Sequence, residues 1–281
     1  MNWKKIVLTL ILITIILFIY NYIQISQVYI KKIKLPTNKL SKPLKITQIS
    51  DFHSNERINL DSLFQKIEAF EPDLILITGD LIDAKTIDLT LAFKVLEKSK
   101  AIQSKVYFVN GNHEVHHSRG YFENGNHKTN HLLSDEFNNG LEKYKVKVLD
   151  NATDLIEING EMVNIFGASF FAGEEDFIKL FTNIEQDNYN ILLSHSPNRP
   201  IMYLNKFTDL ILSGHTHGGQ VRLPFIGAII APGQGLFPKY DKGLFKFGNT
   251  NLYIDSGLGN SLFPIRLFNR VQITNIIIEP K

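Results

Sequence analysis

The chain has 281 residues, a formal net charge of +2 and no cysteine. A charge so near neutral argues against a general nucleic-acid surface, so no nucleic-acid partner is expected. The missing thiols exclude thiolate zinc sites and iron–sulfur clusters, and the roughly 240 residues beyond the apolar N-terminus are ample for one well-packed domain.

The first predicted element is a helix. Ile6 to Tyr20 carries no charge and is almost wholly Ile, Leu, Val, Phe and Thr. Extended to Ile23 it reaches about 18 residues, near the lower limit for crossing a bilayer. It lacks the polar stripe of a core helix. Trp3, Tyr20 and Tyr22 are placed like interfacial aromatics. Gln24-Ile25-Ser26-Gln27-Val28 offers no small-x-small cleavage site, which favours an uncleaved anchor over residues 1–30. Residues 31–43 read as a basic linker with two prolines, either solvated or resting on anionic headgroups. Every motif lies beyond it, so a chain beginning near Lys42 is expected to be soluble and intact.

Five apolar runs then end in metal-type ligands. Leu44 to Ser50 leads into Asp51-Phe52-His53, and Leu74 to Thr78 into Gly79-Asp80. Val106 to Val109 leads into Asn110-Gly111-Asn112-His113-Glu114, and Asn190 to Ser194 into His195. Asp209 to Ser213 leads into Gly214-His215-Thr216-His217-Gly218-Gly219. Side chains at the carboxyl ends of neighbouring strands converge on one crevice, the usual site of function in open α/β sheets. A single such residue caps a helix or shapes a turn. Five repeats make coincidence a poor explanation.

Between these runs, Leu60 to Phe70 has helical spacing, with Leu60, Leu63, Phe64 and Ile67 on one face, and Glu71-Pro72 ends it. Leu89 to Leu96 reads as a second helix. Residues 115–139 form a polar stretch carrying His116, His117, His127 and His131, which reads as solvated loop or as a lid over the site. From Val146 onward short β-type runs dominate, including Met162 to Phe166, Leu252 to Asp255 and Val271 to Ile278. Two packed mixed sheets flanked by helices fit this order.

The ligand types are Asp, Asn and His, a set suited to manganese, iron or zinc rather than calcium. Two carboxylates, one amide and four imidazoles exceed the needs of one ion and suffice for two divalent metal ions sharing a carboxylate. In order and spacing, these five blocks resemble the calcineurin-like metallophosphoesterases from about Leu44 to Ile278. The resemblance implies a four-layer αββα sandwich of two mixed sheets over residues 44–281, the catalytic domain. It also implies that Asp51, His53 and His217 hold the first metal and that Asp80 bridges. Asn112, His195 and His215 complete the second. The resemblance implies that His113 protonates the leaving oxygen or stabilises its developing charge, with Asp83 matching the carboxylate that orients it in some relatives.

Departures from other branches narrow the substrate. Protein serine/threonine phosphatases carry Val-Asp-Arg-Gly where this chain has Leu81-Ile82-Asp83-Ala84, which argues against a phosphoprotein. Purple acid phosphatases place a tyrosine at the position of Asp83. Gly218-Gly219-Gln220 and Ser256-Gly257-Leu258-Gly259 look like a bacterial membrane-associated branch of phosphodiesterases and pyrophosphatases, some acting on lipid-linked nucleotide sugars. The expectation is therefore a single-pass enzyme of the cell membrane that hydrolyses a phosphodiester or pyrophosphate, with a lipid-linked substrate in view. A phosphomonoesterase and a non-catalytic, metal-stabilised binding protein are the alternatives, and His113 argues against the second. Lysine counting puts the catalytic domain in the cytoplasm, whereas the resemblance leans towards an extracytoplasmic one. Arg57, Arg199 and Arg222 are candidates for contact with a substrate phosphate.

Overall fold

The computed structural model describes residues 3–281 apart from 86, 120, 124–125, 129–130, 183, 204–207 and 261–262, with no side chains described within 117–133. Helix α1, Trp3–Ser26, stands clear of the body along most of its length and buries only Ile25 and Ser26. It is long and apolar enough to cross a membrane.

The body begins at Tyr29, not at Leu44. Residues Tyr29–Thr37, expected in the basic linker, form strand β1. From Lys32 onward the side chains alternate, with Ile33, Leu35 and Thr37 turned inward and Lys32, Lys34 and Pro36 outward. Lysines and a proline are the usual means of keeping an edge strand from recruiting another chain, so the composition that suggested a linker belongs to an edge strand.

Two six-stranded sheets follow. The first takes its strands from β1, β2 (Leu44–Ile49), β3 (Leu74–Ile77), β4 (Lys105–Phe108), a short β5 (Lys147–Val148) and the last strand, β12 (Gln272–Pro280). Their spatial order is β1-β12-β2-β3-β4-β5. The second uses β6 (Ala152–Ile158), β7 (Glu161–Ala168), β8 (Tyr189–Ser194), β9 (Leu210–Ser213), β10 (Gly243–Phe247) and β11 (Thr250–Ile254), ordered β10-β11-β9-β8-β7-β6. β2, β3 and β4 run parallel, as do β7, β8, β9 and β11. The β2 pairing sets Ile46 beside Leu74 and Ile49 beside Ile77. The carboxyl ends that carry the ligand motifs therefore share one rim.

Strand β3, Leu-Ile-Leu-Ile, explains the layering. Leu74 and Leu76 join Val163, Ile191 and Leu212 in the core between the sheets. Ile75 and Ile77 face the opposite way, into helices α2 (Leu60–Glu68), α3 (Thr90–Ala101) and α5 (His131–Lys143). A strand buried on both faces has to be apolar throughout. On the far side, α6 (Glu174–Phe181) packs Phe177 and Leu180 against Phe166, Leu192 and Ile211. The result is the expected four-layer sandwich. Helix α2 starts where Asn59 accepts a bond from the Ser62 amide at 2.9 Å, and buries Leu60, Leu63, Phe64 and Ile67. Its end at Glu68 falls two residues before the Phe70 read from the pattern.

The polar stretch 115–139 is mostly helix and hairpin rather than loop. Helix α4, Asn112–Arg119, covers its start and α5 its end, with Tyr121–Glu123 paired to Asn126–Lys128 between them. His116 stands beside Phe171, ring centres 6.5 Å apart. The side chains of His117, His127 and His131 lie outside the described residues.

Candidate metal centre

Each ligand motif begins where a parallel strand stops and the chain turns sharply. Asp51, His53, Asp80, His215 and His217 all sit at positive φ, between 48° and 68°. Left-handed backbone at non-glycine residues costs about 1–3 kcal/mol each and persists where the surroundings over-determine it. Those surroundings are visible: the Asp51 amide donates to the Gly79 carbonyl at 3.0 Å, and the His53 amide to the Asp80 carbonyl at 3.0 Å. The His215 amide reaches both carboxylate oxygens of Asp51, at 2.9 and 3.1 Å. Two glycines permit the close approach. A Cβ on Gly79 (φ +89°) would meet the Gly111 amide nitrogen and His195 Nδ1 at 2.7 Å, and one on Gly214 would collide with Ser50 and Asp51.

Six of the seven expected ligands gather in two adjacent groups. Asp51, His53 and His217 form one, and Asp80, His195 and His215 the other, each with donor atoms within 4.8 Å of one another. His217 Nε2 is 3.6 Å from Asp51 Oδ1, while His195 Nε2 is 3.0 Å from Asp80 Oδ2. Asp80 Oδ2 also lies 3.7 Å from His53 Nε2, which places this carboxylate between the two groups. Asn112 joins the second group through its Oδ1, 3.2 Å from His195 Nε2.

The donor set fits divalent cations. Both ring nitrogens of His53 and Nδ1 of His217 are buried with no hydrogen-bond partner, an expensive arrangement unless a ligand takes the lone pairs. His195 Nδ1 is 2.7 Å from the Thr78 carbonyl, which fixes its proton on that side and turns Nε2 to the cluster. Electrostatics agree. Burial pushes the Asp51 carboxyl up to about 7 and the His53 imidazole down to about 4. Burial, with His195 beside it, takes His215 down to about 3, and burial takes His217 well below the ordinary range. Burial works against charge on His195 too, but Asp80 and Asp51 outweigh it and hold the ring at about 10. Burial likewise opposes ionisation of Asp80, yet His195, His53 and His113 together keep that carboxyl below its usual range. Three imidazoles, those of His53, His215 and His217, are thus held neutral beside the carboxylates, as a cation requires, and of the four rings His195 alone has a proton to give up.

His113 stands at the margin, 4.0 Å from Asp80 Oδ2 through Nε2. The Ala84 amide donates to its Nδ1 at 2.8 Å, so in the neutral ring the proton sits on Nε2, towards the cluster. Asp83 Oδ2 is 3.7 Å from Nδ1, beyond hydrogen-bonding distance, and Asp83 Oδ1 accepts the Lys85 amide at 3.0 Å. The backbone at Ala84 thus sets the tautomer, with Asp83 as a nearby charge.

Three supporting groups escaped the sequence reading. Glu114, adjacent to His113, is buried and accepts the amides of Asp80, Gly111 and Ile82 at 2.9, 2.8 and 3.2 Å, clamping the loop that carries Asp80. Burial and the neighbouring Asp80 push its carboxyl up to about 7. Arg266 is fully buried and gathers the carbonyls of Ser256 and Gly259 at 2.7 and 2.5 Å, holding a turn against Asp51. Asn269 donates to the His217 carbonyl at 2.6 Å. Of the three arginines, Arg222 is committed to Asp241 at 2.7 Å. Arg199 lies on the short helix Asn198–Met202. Arg57 lines a cleft of about 230 Å³ that runs from His53 past Asn260 to Pro264.

A model of the calcineurin-like phosphoesterase family matches residues 44–219. The chain is 30% identical over 236 residues to metallophosphoesterase YkuE of Bacillus subtilis, covering 82% of this chain and 77% of that protein. It is 29% identical over 280 residues to the UDP-2,3-diacylglucosamine pyrophosphatase LpxG of Chlamydia muridarum, covering 84% of each. It spans 63% of the length of a further relative, metallophosphoesterase Cj0846 of Campylobacter jejuni. Among solved structures, the NAD nucleotidase NadN of Haemophilus influenzae aligns over 77% of this chain and 45% of its own, with TM-score 0.50 and 19% identity, a likeness of fold alone. The match from residue 44 to 219 spans all the strand ends where the Asp and His clusters form. The chain belongs to the calcineurin-like phosphoesterase family and is a metallophosphoesterase, a hydrolase whose fold takes divalent metal ions.

Proposed function

We propose that the chain hydrolyses a phosphodiester or pyrophosphate bond at a two-cation centre, on a substrate presented at a membrane that α1 anchors it to. The observation that supports the reading is the pair of Asp/His groups with the Asp80 carboxylate between them and His113 Nε2 at their margin. Asp51, His53 and His217 would hold one cation, and Asn112, His195 and His215 the other, with Asp80 common to both. Bound there, the cations supply Lewis acidity towards phosphoryl oxygens and activation of water. The protein's own residues do the rest. Glu114 and Gly79 fix the loop that aims Asp80. Thr78 holds His195 in the tautomer that presents Nε2. His113, with Nδ1 occupied by the Ala84 amide, keeps a proton on Nε2 for the departing oxygen. A purely binding protein has no use for such an acid.

Two further points favour a diester or pyrophosphate near lipid. The Chlamydia relative is named for a diacylated sugar nucleotide and for pyrophosphatase activity. In this chain, the cleft leaving His53 ends at Pro264, whose carbonyl accepts a bond from Asn21 of α1 at 3.0 Å. Arg57 in that cleft is placed to meet a second phosphate, or the substituent beyond the scissile bond. An extracytoplasmic orientation follows the resemblance and is tested by labelling from either side. The decisive assay loads full-length protein with manganese, iron or zinc and compares bis-nitrophenyl phosphate, nitrophenyl phosphate and a lipid-linked pyrophosphate. Faster turnover of the diester or pyrophosphate is expected. A preference for the monoester would replace the reading with a phosphomonoesterase, and no turnover with any metal would replace it with a binding protein.

A further inference from the structure

The metal centre leaves one conspicuous feature unexplained. Outside α1, five phenylalanines among the described residues are exposed, and four of them, Phe225, Phe237, Phe263 and Phe268, lie in two segments: 221–237, built of two-residue strand pairs and turns, and 263–268. Ile226 and Leu236 are exposed beside them. Isolated apolar residues on a surface need no explanation, but a concentrated set does.

These segments are bonded to each other and to the end of α1. The Arg222 amide donates to the Leu267 carbonyl at 3.0 Å, and the Leu267 amide to the Gln220 carbonyl at 3.1 Å. Gln220 Nε2 donates to the Phe263 carbonyl at 2.8 Å. The Phe268 amide in turn donates to the Tyr20 hydroxyl at 3.0 Å, and the Arg266 amide to Asn21 Oδ1 at 2.9 Å. The rings of Tyr20 and Phe268 meet edge to face at 5.9 Å. The apolar patch is therefore a continuation of the anchor's surface.

Three of the four rings are displayed at a cost. Phe225, Phe237 and Phe268 have φ of 68°, 50° and 49°. For a bulky side chain this is an outlier, and water gives an exposed ring nothing in return. Helix length supplies the reason. The uncharged part of α1 before its first bond to the body runs from Ile6 to Ile19. It rises about 21 Å at 1.5 Å per residue, against a hydrocarbon core of about 30 Å. Lys4 and Lys5 can snorkel and recover only part of the deficit. The bilayer has to thin, or its apolar layer has to reach past Tyr20 to the loops bonded there.

We infer that segments 221–237 and 263–268 form an apolar collar that sits in the membrane interface around the base of α1. Seated so, the collar brings the mouth of the His53–Pro264 cleft to headgroup level. A phosphate on a lipid can then enter without leaving the bilayer surface. The wall on the other side of the centre belongs to the same loops, since the Gly233 carbonyl accepts Asn198 Nδ2 at 3.1 Å and a Cβ on Gly233 would come within 3.9 Å of His215 Nε2. The inference rests on α1 entering the bilayer, and its test reads that point separately.

The absence of cysteine makes the test clean. Single variants Phe225→Cys, Phe237→Cys and Phe268→Cys of the full chain carry a nitroxide and are placed in nanodiscs of phosphatidylcholine and phosphatidylglycerol. Leu12→Cys reports on the anchor, while Ile178→Cys and Met202→Cys, exposed positions on other helices, report on water-facing surface. Collar labels should relax with oxygen over a water-soluble nickel chelate several-fold more than the two controls, approaching Leu12→Cys. Collar values equal to the controls, with Leu12→Cys in lipid, would overturn the collar and leave the anchor standing. Water-like values at Leu12→Cys as well would overturn both. Shielding that persists in detergent, with spin–spin broadening between copies, would assign the patch to a second copy of the chain and also overturn the inference.

Discussion

Strained backbone gathers in two regions of this molecule, and they have opposite chemistry. Around the metal centre, Asp51, His53, Asp80, His215 and His217 are held at positive φ inside a largely buried, polar cluster fixed by a dense set of amide bonds. At the collar, Phe225, Phe237 and Phe268 are held at positive φ with exposed apolar rings. In the first region the strain aims Asp and His side chains from separate strands at shared points. In the second it displays surface that water does not reward. Strain in the centre should thus be inseparable from chemistry in any solvent, and strain in the collar should matter only when a membrane is present.

The largest effects should come from the centre. Asp80→Asn removes the charge of the carboxylate that lies between the two groups while keeping the shape. Metal content by elemental analysis should fall together with turnover. An Asp80→Asn protein that keeps full metal content and activity would show that Asp80 does not join the two groups. His113→Ala tests the division of labour. Metal content should hold while turnover drops by about 10²–10⁴-fold, the usual contribution of a general acid. The loss should shrink for nitrophenyl leaving groups, which need little protonation. Equal losses for good and poor leaving groups would make His113 a positioning residue instead.

The region at the base of α1 should respond differently, through the fold. A chain beginning at Gln27 keeps β1, but one beginning at Lys42 loses the strand that pairs with β12 from Tyr29 to Thr37. Burial of Leu35 alone is worth about 1.5–3 kcal/mol, and it is 3% exposed. Denaturant midpoints should therefore separate the two chains by at least about 2 kcal/mol, in favour of the one beginning at Gln27. Equal midpoints would return β1 to the status of a linker.

A smaller effect distinguishes the protonated centre from an inert one. His195 is held at about 10 by Asp80 and Asp51 against its burial, so near neutral pH it carries a proton on Nε2 that a cation has to displace. His215, lowered to about 3, is already neutral and releases none. Uptake therefore expels this proton, and above about pH 7, where Asp51 is already ionised, affinity should rise with pH by roughly tenfold per unit for the one proton released. Titrations of manganese at two pH values, in buffers of different protonation enthalpy, read this directly. Affinity that does not change with pH would place His195 outside the ligand set.

The two regions also differed in what the sequence disclosed. Runs such as Leu74 to Ile77 are apolar on both faces and then stop at a polar residue, so the strand ends and the polar side chains gathered at them were readable together. Glu114 was in view beside His113, but nothing in a linear pattern says that its carboxylate clamps three amides. Arg266 sits in an irregular segment and acts through backbone carbonyls, which leave no spacing to find. β1 was hidden by its lysines, whose alternation with Ile33, Leu35 and Thr37 marks an edge strand once β12 lies beside it. The collar was hidden for the reverse reason: its apolar residues fall in short runs without a helical or alternating period, so no pattern marks them as surface until the fold leaves them outside.

The smallest effect separates the two kinds of strain most directly. At Phe237, φ is 50° and the ring is exposed. Replacing it with glycine removes a left-handed penalty of about 1–2 kcal/mol and returns about 0.5–1 kcal/mol through the freedom glycine gains in the unfolded chain. Phe237→Gly should leave the thermal midpoint of detergent-solubilised protein unchanged or slightly raised, with the rate on bis-nitrophenyl phosphate intact. On substrate in vesicles the same variant should be slower, because a ring that enters the interface is gone. Phe237→Leu keeps both the strained backbone and an apolar side chain, and should retain the vesicle rate. The comparison breaks if Phe237→Gly lowers the midpoint by several degrees, since the ring would then be holding the fold together. It breaks equally if vesicle and soluble rates fall in step, since the collar strain would then serve the chemistry, as is proposed for Asp51 and His217.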